Sequence, residues 1–261
     1  MKHVFKNKKK AFTLSEVLIA LVVIGVVAAI TVPMLFAMYH KNITVEKLKK
    51  VHSTLTQVSN RIAIDEGGTF SDLHSDFNKE NILAVFKLAT YDGACEFAQE
   101  YFFPYLSITK TKEFTFPICE EVMCGEAASL LGLKGVHLVD GTTMAVLPLD
   151  IATNHCYNIK ICSGKGCEKE FPAEFCGIPI LVDINGESKP NRFGRDVFVW
   201  EYRIIDEDNP KYTGRFVPLG FAYNESDLEE MFGAGKCKDN PMLCAKKIMD
   251  DGWQIKNDYP W

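Results

Sequence analysis

Lys8–Met38 reads KKKAFTLSEVLIALVVIGVVAAITVPMLFAM. A lysine cluster runs straight into an apolar run. Between Ala11 and Tyr39 the single charged residue is Glu16. A helix needs about 20 apolar residues to cross the hydrocarbon core of a bilayer, and this run is long enough. Lys2, Lys6, Lys8, Lys9 and Lys10 stand before it, and basic flanks favour the cytoplasmic side. The N-terminus is therefore expected inside, and everything after about residue 40 outside the cytoplasm.

The apolar run has two weak points as a helix. Pro33 lies inside it and is expected to kink it, because the ring removes one hydrogen bond and crowds the preceding turn. Gly25 is a softer spot. Past the run, Leu48, Val51, Leu55, Val58 and Ile62 recur at alternating spacings of three and four. That spacing places them on one stripe of a helix. Lys47, Lys49, Lys50, Gln57 and Arg61 lie off the stripe. Gly67-Gly68 supplies the stop, as glycine after a last turn does. The pattern predicts one helix from residue 12 to about 65, roughly 80 Å long at 1.5 Å per residue. The stripe reads as core against the chain's own sheet rather than as a zipper between chains.

Beyond this helix the signals are shorter. Asn78–Tyr91 reads as a second helix broken by Asp92-Gly93, and Ala94–Phe103 as a third that ends at Pro104. Val136–Val146 reads as a β-hairpin about Asp140-Gly141, a strong local turn signal. Ile178–Ile184, Val197–Ile205 and Arg215–Phe221 are strand candidates, separated by turn-rich, cysteine-rich loops. The expected class is α+β: a long N-terminal helix packed on an antiparallel sheet head that contains disulfides. Its expected parts are a basic leader (1–11), an apolar helix (12–39), an amphipathic continuation (40–66) and a globular head (67–261).

Charge and cysteines narrow the function classes. The chain has 261 residues and a net charge of −5, which becomes −10 once the five leader lysines are removed. Nucleic-acid binding recruits basic surfaces, so none is expected in the cytoplasm. All nine cysteines follow the apolar run: Cys95, Cys119, Cys124, Cys156, Cys162, Cys167, Cys176, Cys237 and Cys244. On an oxidising side these read as disulfide candidates. Nine is odd, so at least one is free or pairs between chains. Zinc is the weaker alternative, since the Cys119–Cys124 and Cys162–Cys167 spacings are loose and no histidine follows at ligand spacing. Cys237 and Cys244 are expected to pair, closing a short loop.

One stretch of the head carries ion chemistry. Asp183, Asn185 and Glu187, with Asp196 following, put side-chain oxygens at alternate positions. Calcium takes six to eight such oxygens, which makes it the one candidate cofactor. The stretch is not an EF-hand: Ser188 and Gly194 stand where that loop needs glycine and a bidentate acid. The alternative is an Asx-type turn between strands with no metal. Enzymatic readings are weak. His137 with Asp140, and His155 beside Cys156, form no supportable triad, and Gly233–Lys236 lacks the spacing of a phosphate loop. Trp253, Tyr259 and Trp261 read as packed aromatics rather than an adhesive patch. No enzyme is expected.

The N-terminal residues resemble those of type IV pilin and type II secretion pseudopilin precursors. A short basic leader ends in the small residue Ala11, where the family usually has glycine. Phe12 matches the aromatic that the family's prepilin peptidase exposes and N-methylates. Glu16 falls at the family's glutamate, and Pro33 where many members have proline. This resemblance spans residues 8–40; Val182–Phe198 is similar, more loosely, to a segment of some pilin-like heads. It implies cleavage after Ala11, methylation of Phe12 and assembly of like subunits through the helix. It also implies a prepilin peptidase and an assembly platform as partners. Glu16 would then be neutralised by the amine of a neighbouring subunit and set the axial register, since an unpaired carboxylate in an apolar helix is costly. The bland alternative is a carboxylate solvated at the headgroups. Pro33 would let the helix adjust when the subunit leaves the lipid of the cytoplasmic membrane. Three roles fit: a filament subunit, a minor or tip subunit that recognises a surface, DNA or cargo, and a membrane-anchored extracytoplasmic binding module.

Overall fold

A computed structural model describes residues 12–65, 102–114, 133–146, 157–163, 169–175, 178–186, 188, 192–203, 215–221, 223–233 and 235–261. The chain divides into two compact units, Met1–Ile43 and Thr44–Trp261. One helix, α1 (Leu14–Asp65), contributes to both, and it matches the expected helix almost residue for residue. It runs on through Pro33, so the proline does not end it. The helix stop expected at Gly67-Gly68 and the helix at Asn78–Tyr91 lie outside the described residues.

In the first unit the helix is apolar and uncovered. It is long and apolar enough to cross a membrane. Leu18, Leu21, Ile24, Ile30 and Leu35 are each more than half exposed. In the second unit the same helix changes character. Val45, Leu48, Val51, Leu55, Val58 and Ile62 are buried. Five of these six are the stripe read from the sequence, and all join one core cluster with Val136, Met144, Ile180, Val182, Trp200 and Phe216. Each such aliphatic side chain contributes about 1.5–3 kcal/mol by leaving water.

The sheet receives this stripe. Among the described residues there are eight strands: β1 (Ile108–Phe114), β2 (Leu133–Leu138), β3 (Thr143–Val146), β4 (Tyr157–Ser163), β5 (Lys169–Phe175), β6 (Ile178–Asp183), β7 (Val197–Arg203) and β8 (Arg215–Pro218). Six form one sheet in the order β1-β2-β3-β6-β7-β8, every pair antiparallel. Register places Met144 opposite Val182 and Val182 opposite Phe198, so core side chains from neighbouring strands lie side by side. Among the described residues the sheet's edge strands are guarded: β1 carries the exposed Lys110, and β8 is short and ends in Pro218, which discourages pairing with a further strand.

The β2–β3 hairpin forms at the expected turn. Leu138 N–H donates to the Thr142 carbonyl at 2.8 Å and Gly141 N–H to the Leu138 carbonyl at 3.0 Å. Gly141 has φ +83°, the left-handed residue that closes a three-residue hairpin loop. Asp140 accepts Thr142 N–H at 3.0 Å and pairs with Lys50 of α1 at 3.0 Å.

Several expectations need correction. The cysteine-rich stretch read as loops contains the antiparallel pair β4–β5, a separate two-stranded sheet. Pro172 sits inside β5, which disguised the strand; proline is tolerated there because a two-stranded sheet leaves each strand one open side. Arg215–Phe221 is a strand only to Pro218, and Leu219–Phe221 turn away. The strand expected over Ile178–Ile184 stops at Asp183. The strand expected over Val197–Ile205 is β7 as far as Arg203; residues 204 and 205 lie outside the described residues. Pro104 lies in the 3-10 turn Phe103–Tyr105; residues 94–101, most of the third helix expected ahead of it, lie outside the described residues. Two C-terminal helices were missed, α2 (Glu225–Phe232) and α3 (Cys244–Asp250). Helix α2 starts at Asn224, whose side chain accepts from Ser226 and Asp227 N–H, and ends at Gly233 with φ 62°.

Candidate assembly helix and acidic loop

The start of α1 is closed by its own side chains. Thr13 N–H and hydroxyl both donate to Glu16 Oε2 at 2.8 Å, and Glu16 N–H donates to Thr13 Oγ1 at 3.3 Å. This is a capping box, which satisfies backbone donors that the first turn leaves open. Thr13 was missed as a site residue, although T-x-x-E ahead of an apolar run is the signal for such a cap. Phe12 is 84% exposed. Ala11 lies outside the described residues. Glu16 thus has a local role that the sequence reading did not assign. Thr13 holds one oxygen of the Glu16 carboxylate toward the helix start. Farther along, Thr31, two residues before Pro33, donates its hydroxyl to the Val27 carbonyl at 2.9 Å.

The acidic loop follows β6. Asp183 and Asp196 are 2% and 3% exposed, so both carboxylates leave water. Asn185 joins them: its N–H donates to Asp183 Oδ1 at 3.0 Å and its Nδ2 to Asp196 Oδ2 at 3.1 Å. The first bond is the Asx turn read from the sequence. Arg192 N–H donates to Asp196 Oδ1. Burial pushes the Asp183 carboxyl up to about 7. The N–H groups of Asn185 and Gly186 and the Lys47 charge oppose this rise, and nearby Asp196 adds to it. Lys47 of α1 seats its ammonium on the Ile184 carbonyl at 2.7 Å, a positive charge brought to the loop by the helix.

Of the four candidate ion ligands, Asp183, Asn185 and Asp196 come together, and Glu187 lies outside the described residues. Fit to an ion is partial. Among the described residues Asn185 Oδ1 is buried without a hydrogen-bond partner, which leaves one oxygen for a ligand. Most of the carboxylate oxygens already accept N–H groups, and among the described residues no three His, Cys, Asp or Glu side chains are grouped as a metal would need.

The disulfide expected between Cys237 and Cys244 is present. Cys162 lies in β4, and Cys95, Cys119, Cys124, Cys156, Cys167 and Cys176 lie outside the described residues. The tail aromatics are packed: Tyr259 is buried, and Trp253 lies 5.4 Å from His52 between ring centres. Lys236, in the stretch compared with a phosphate loop, pairs instead with Glu225 at 3.0 Å. His137 lies in β2, its Nδ1 2.5 Å from Thr143 Oγ1 on the neighbouring strand.

Comparison with known families agrees with the helix. The sequence model for the prokaryotic N-terminal methylation motif matches residues 6–32. That for a family of unknown function, DUF6613, matches residues 34–261. No curated protein and no solved structure matches the chain significantly. Since the second match takes in nearly everything after the apolar run, and the first lies across the capped helix start, the chain belongs to the DUF6613 family as a prepilin-type, type IV pilin-like protein.

Proposed function

We propose that the chain is inserted with its N-terminus in the cytoplasm, cut between Ala11 and Phe12, methylated on Phe12 and polymerised through α1. The product is a filament of the type IV pilus or type II secretion pseudopilus class. The observation that carries this reading is the uncovered apolar half of α1, whose single charge is Glu16. A lipid bilayer covers that surface before assembly, and the helices of like subunits cover it afterwards. Cleavage removes five lysines that would otherwise enter an apolar filament core. It also creates the amine that neutralises Glu16 of a neighbour. The role is structural rather than enzymatic.

Mass spectrometry of the mature N-terminus tests the reading. A chain that begins at N-methylated Phe12 supports it, and a chain that keeps Lys8–Lys10 in the membrane sinks it. A minor or tip subunit with a recognising head is the second reading. The large head supports it: the Thr44–Trp261 unit far outweighs the helix that anchors it. Partners on this proposal are like subunits, a prepilin peptidase and an assembly platform.

Calcium at the acidic loop is a smaller proposal. Asn185 Oδ1 beside two buried carboxylates supports it, and the Lys47 ammonium weighs against it. Thermal unfolding with a chelator decides: a lowered midpoint supports the ion, and an unchanged midpoint leaves the loop to its Asx turn.

A further inference from the structure

The acidic loop is fastened from a part of the chain far from it in sequence. Its turn, 192–197, is built on Gly194, with φ +76°. A Cβ placed there would stand 2.8 Å from Cys244 Sγ, 3.2 Å from Cys244 Cβ and 3.4 Å from the Pro241 carbonyl oxygen. The backbone of the turn therefore lies directly against the disulfide. The Gly194 carbonyl also accepts the hydroxyl of Tyr259, a buried residue of the C-terminal tail. Next to it, the Arg195 guanidinium stands 5.6 Å over the ring of Trp261.

From this turn the bonds lead into the loop. Gly194 N–H donates to the Val197 carbonyl at 2.9 Å and Val197 N–H to the Arg192 carbonyl at 3.1 Å. Ile184 N–H donates to the Asp196 carbonyl at 2.9 Å, and Asn185 Nδ2 to the Asp196 carboxylate at 3.1 Å. A buried polar network holds its shape only while every member keeps its partner.

We propose that the Cys237–Cys244 bridge and the C-terminal tail form a latch that sets the conformation of the acidic loop at residues 183–186 and 192–197. Closing the latch joins two thiols: the S–S bond forms, two protons leave, and two electrons pass to a disulfide-carrying oxidant by thiol–disulfide exchange. A dithiol reductant reverses the step and is itself oxidised. In the open state the two sulfurs separate beyond bonding distance, and Cys244 Sγ moves from its place under Gly194. The turn then loses its floor, and Asp196 loses its alignment with Asn185. Both cysteines are buried, so a reductant reaches the closed bridge only when the head opens locally. This inference concerns the head and holds whatever α1 assembles into.

The test is hydrogen exchange followed by mass spectrometry on the full chain in detergent. The double variant Cys237→Ser/Cys244→Ser opens this bridge alone. Its amides at 184–185 and 192–197 are expected to exchange about tenfold faster or more, while the β2–β3 hairpin keeps its protection, as local opening of one unit requires. Unchanged exchange in the loop overturns the latch, and so does an equal rise in the hairpin, which would mean general loosening. Should the double variant not fold, Tyr259→Phe removes the tail bond and leaves the bridge closed. The same amides should then speed up by about fivefold, the value of one lost hydrogen bond. A loop as protected as in the parent chain would overturn the proposal.

Discussion

The two halves of α1 are one helix with opposite surroundings. Residues 14–43 expose nearly every large apolar side chain, and residues 44–65 bury a single stripe and, Lys47 apart, leave their charges outside. Backbone conformation is the same in both; what differs is how apolar residues are distributed around the axis. A helix that is apolar all round needs a solvent other than water, whereas one apolar on a stripe needs only a sheet to lie against. Among the described residues nothing covers the first half, whereas the sheet of the head covers the second.

Glu16→Ala breaks the comparison most sharply. Filament assembly should be lost while the chain still inserts in the membrane, measured by filament yield and membrane fractionation. Filaments at parental yield would reduce the first half to a plain anchor. Leu55→Ala tests the second half. It should destabilise the head by about 2–5 kcal/mol, as a cavity in a packed core does. Ile24→Ala, in the exposed half, should leave the head's thermal midpoint where it was; equal losses from the two would erase the distinction between the halves.

Ser59→Ala is a finer probe. Ser59 donates to the Leu55 carbonyl at 3.0 Å and accepts Phe216 N–H at 3.2 Å, tying α1 to β8. Without the hydroxyl a buried N–H is orphaned, at a cost of about 1–3 kcal/mol, read by denaturant unfolding. Exchange protection at Phe216 should fall with it.

The last effect is one of pH. Asp183 is held up to about 7 in the folded head, above the ordinary carboxyl value. Between that value and 7 the folded chain binds a proton that the unfolded chain has released. Stability contributed by this proton is therefore complete at acid pH and is lost as pH rises through about 7, with a slope of at most about 1.4 kcal/mol per pH unit. Thermal midpoints from pH 5 to 8 should fall less steeply in Asp183→Asn. Parallel pH curves for parent and variant would show that the burial of Asp183 costs nothing.

Legibility in the sequence followed the range of the interaction. The stripe from Leu48 to Ile62 was readable because a helix repeats every 3.6 residues and one face suffices to show it. The hairpin at Asp140-Gly141 was readable because glycine alone closes that loop without strain. Strands β4 and β5 were hidden by Pro172 and by cysteines that suggested loops. Helices α2 and α3 span eight and seven residues, too short for periodicity to declare itself. At the candidate site, Glu16 and the run of Asp183, Asn185 and Asp196 were legible as isolated polar groups in patterned surroundings. Their partners were less so: Thr13 carried a local signal that went unused, while Lys47, Tyr259 and Cys244 carried none that points to the loop.

What depends on near neighbours and on solvent is written along the chain: an apolar helix that requires lipid or like helices, a stripe that requires a core, a turn that requires glycine and a short disulfide loop. What depends on separation in space emerges with the packed fold. Lys47 reaches the Ile184 carbonyl across 137 residues, and Tyr259 reaches Gly194 across 65. No local propensity encodes such pairs. They form because burying the helix stripe against the sheet brings distant polar groups into a region with little water, where each must find a partner.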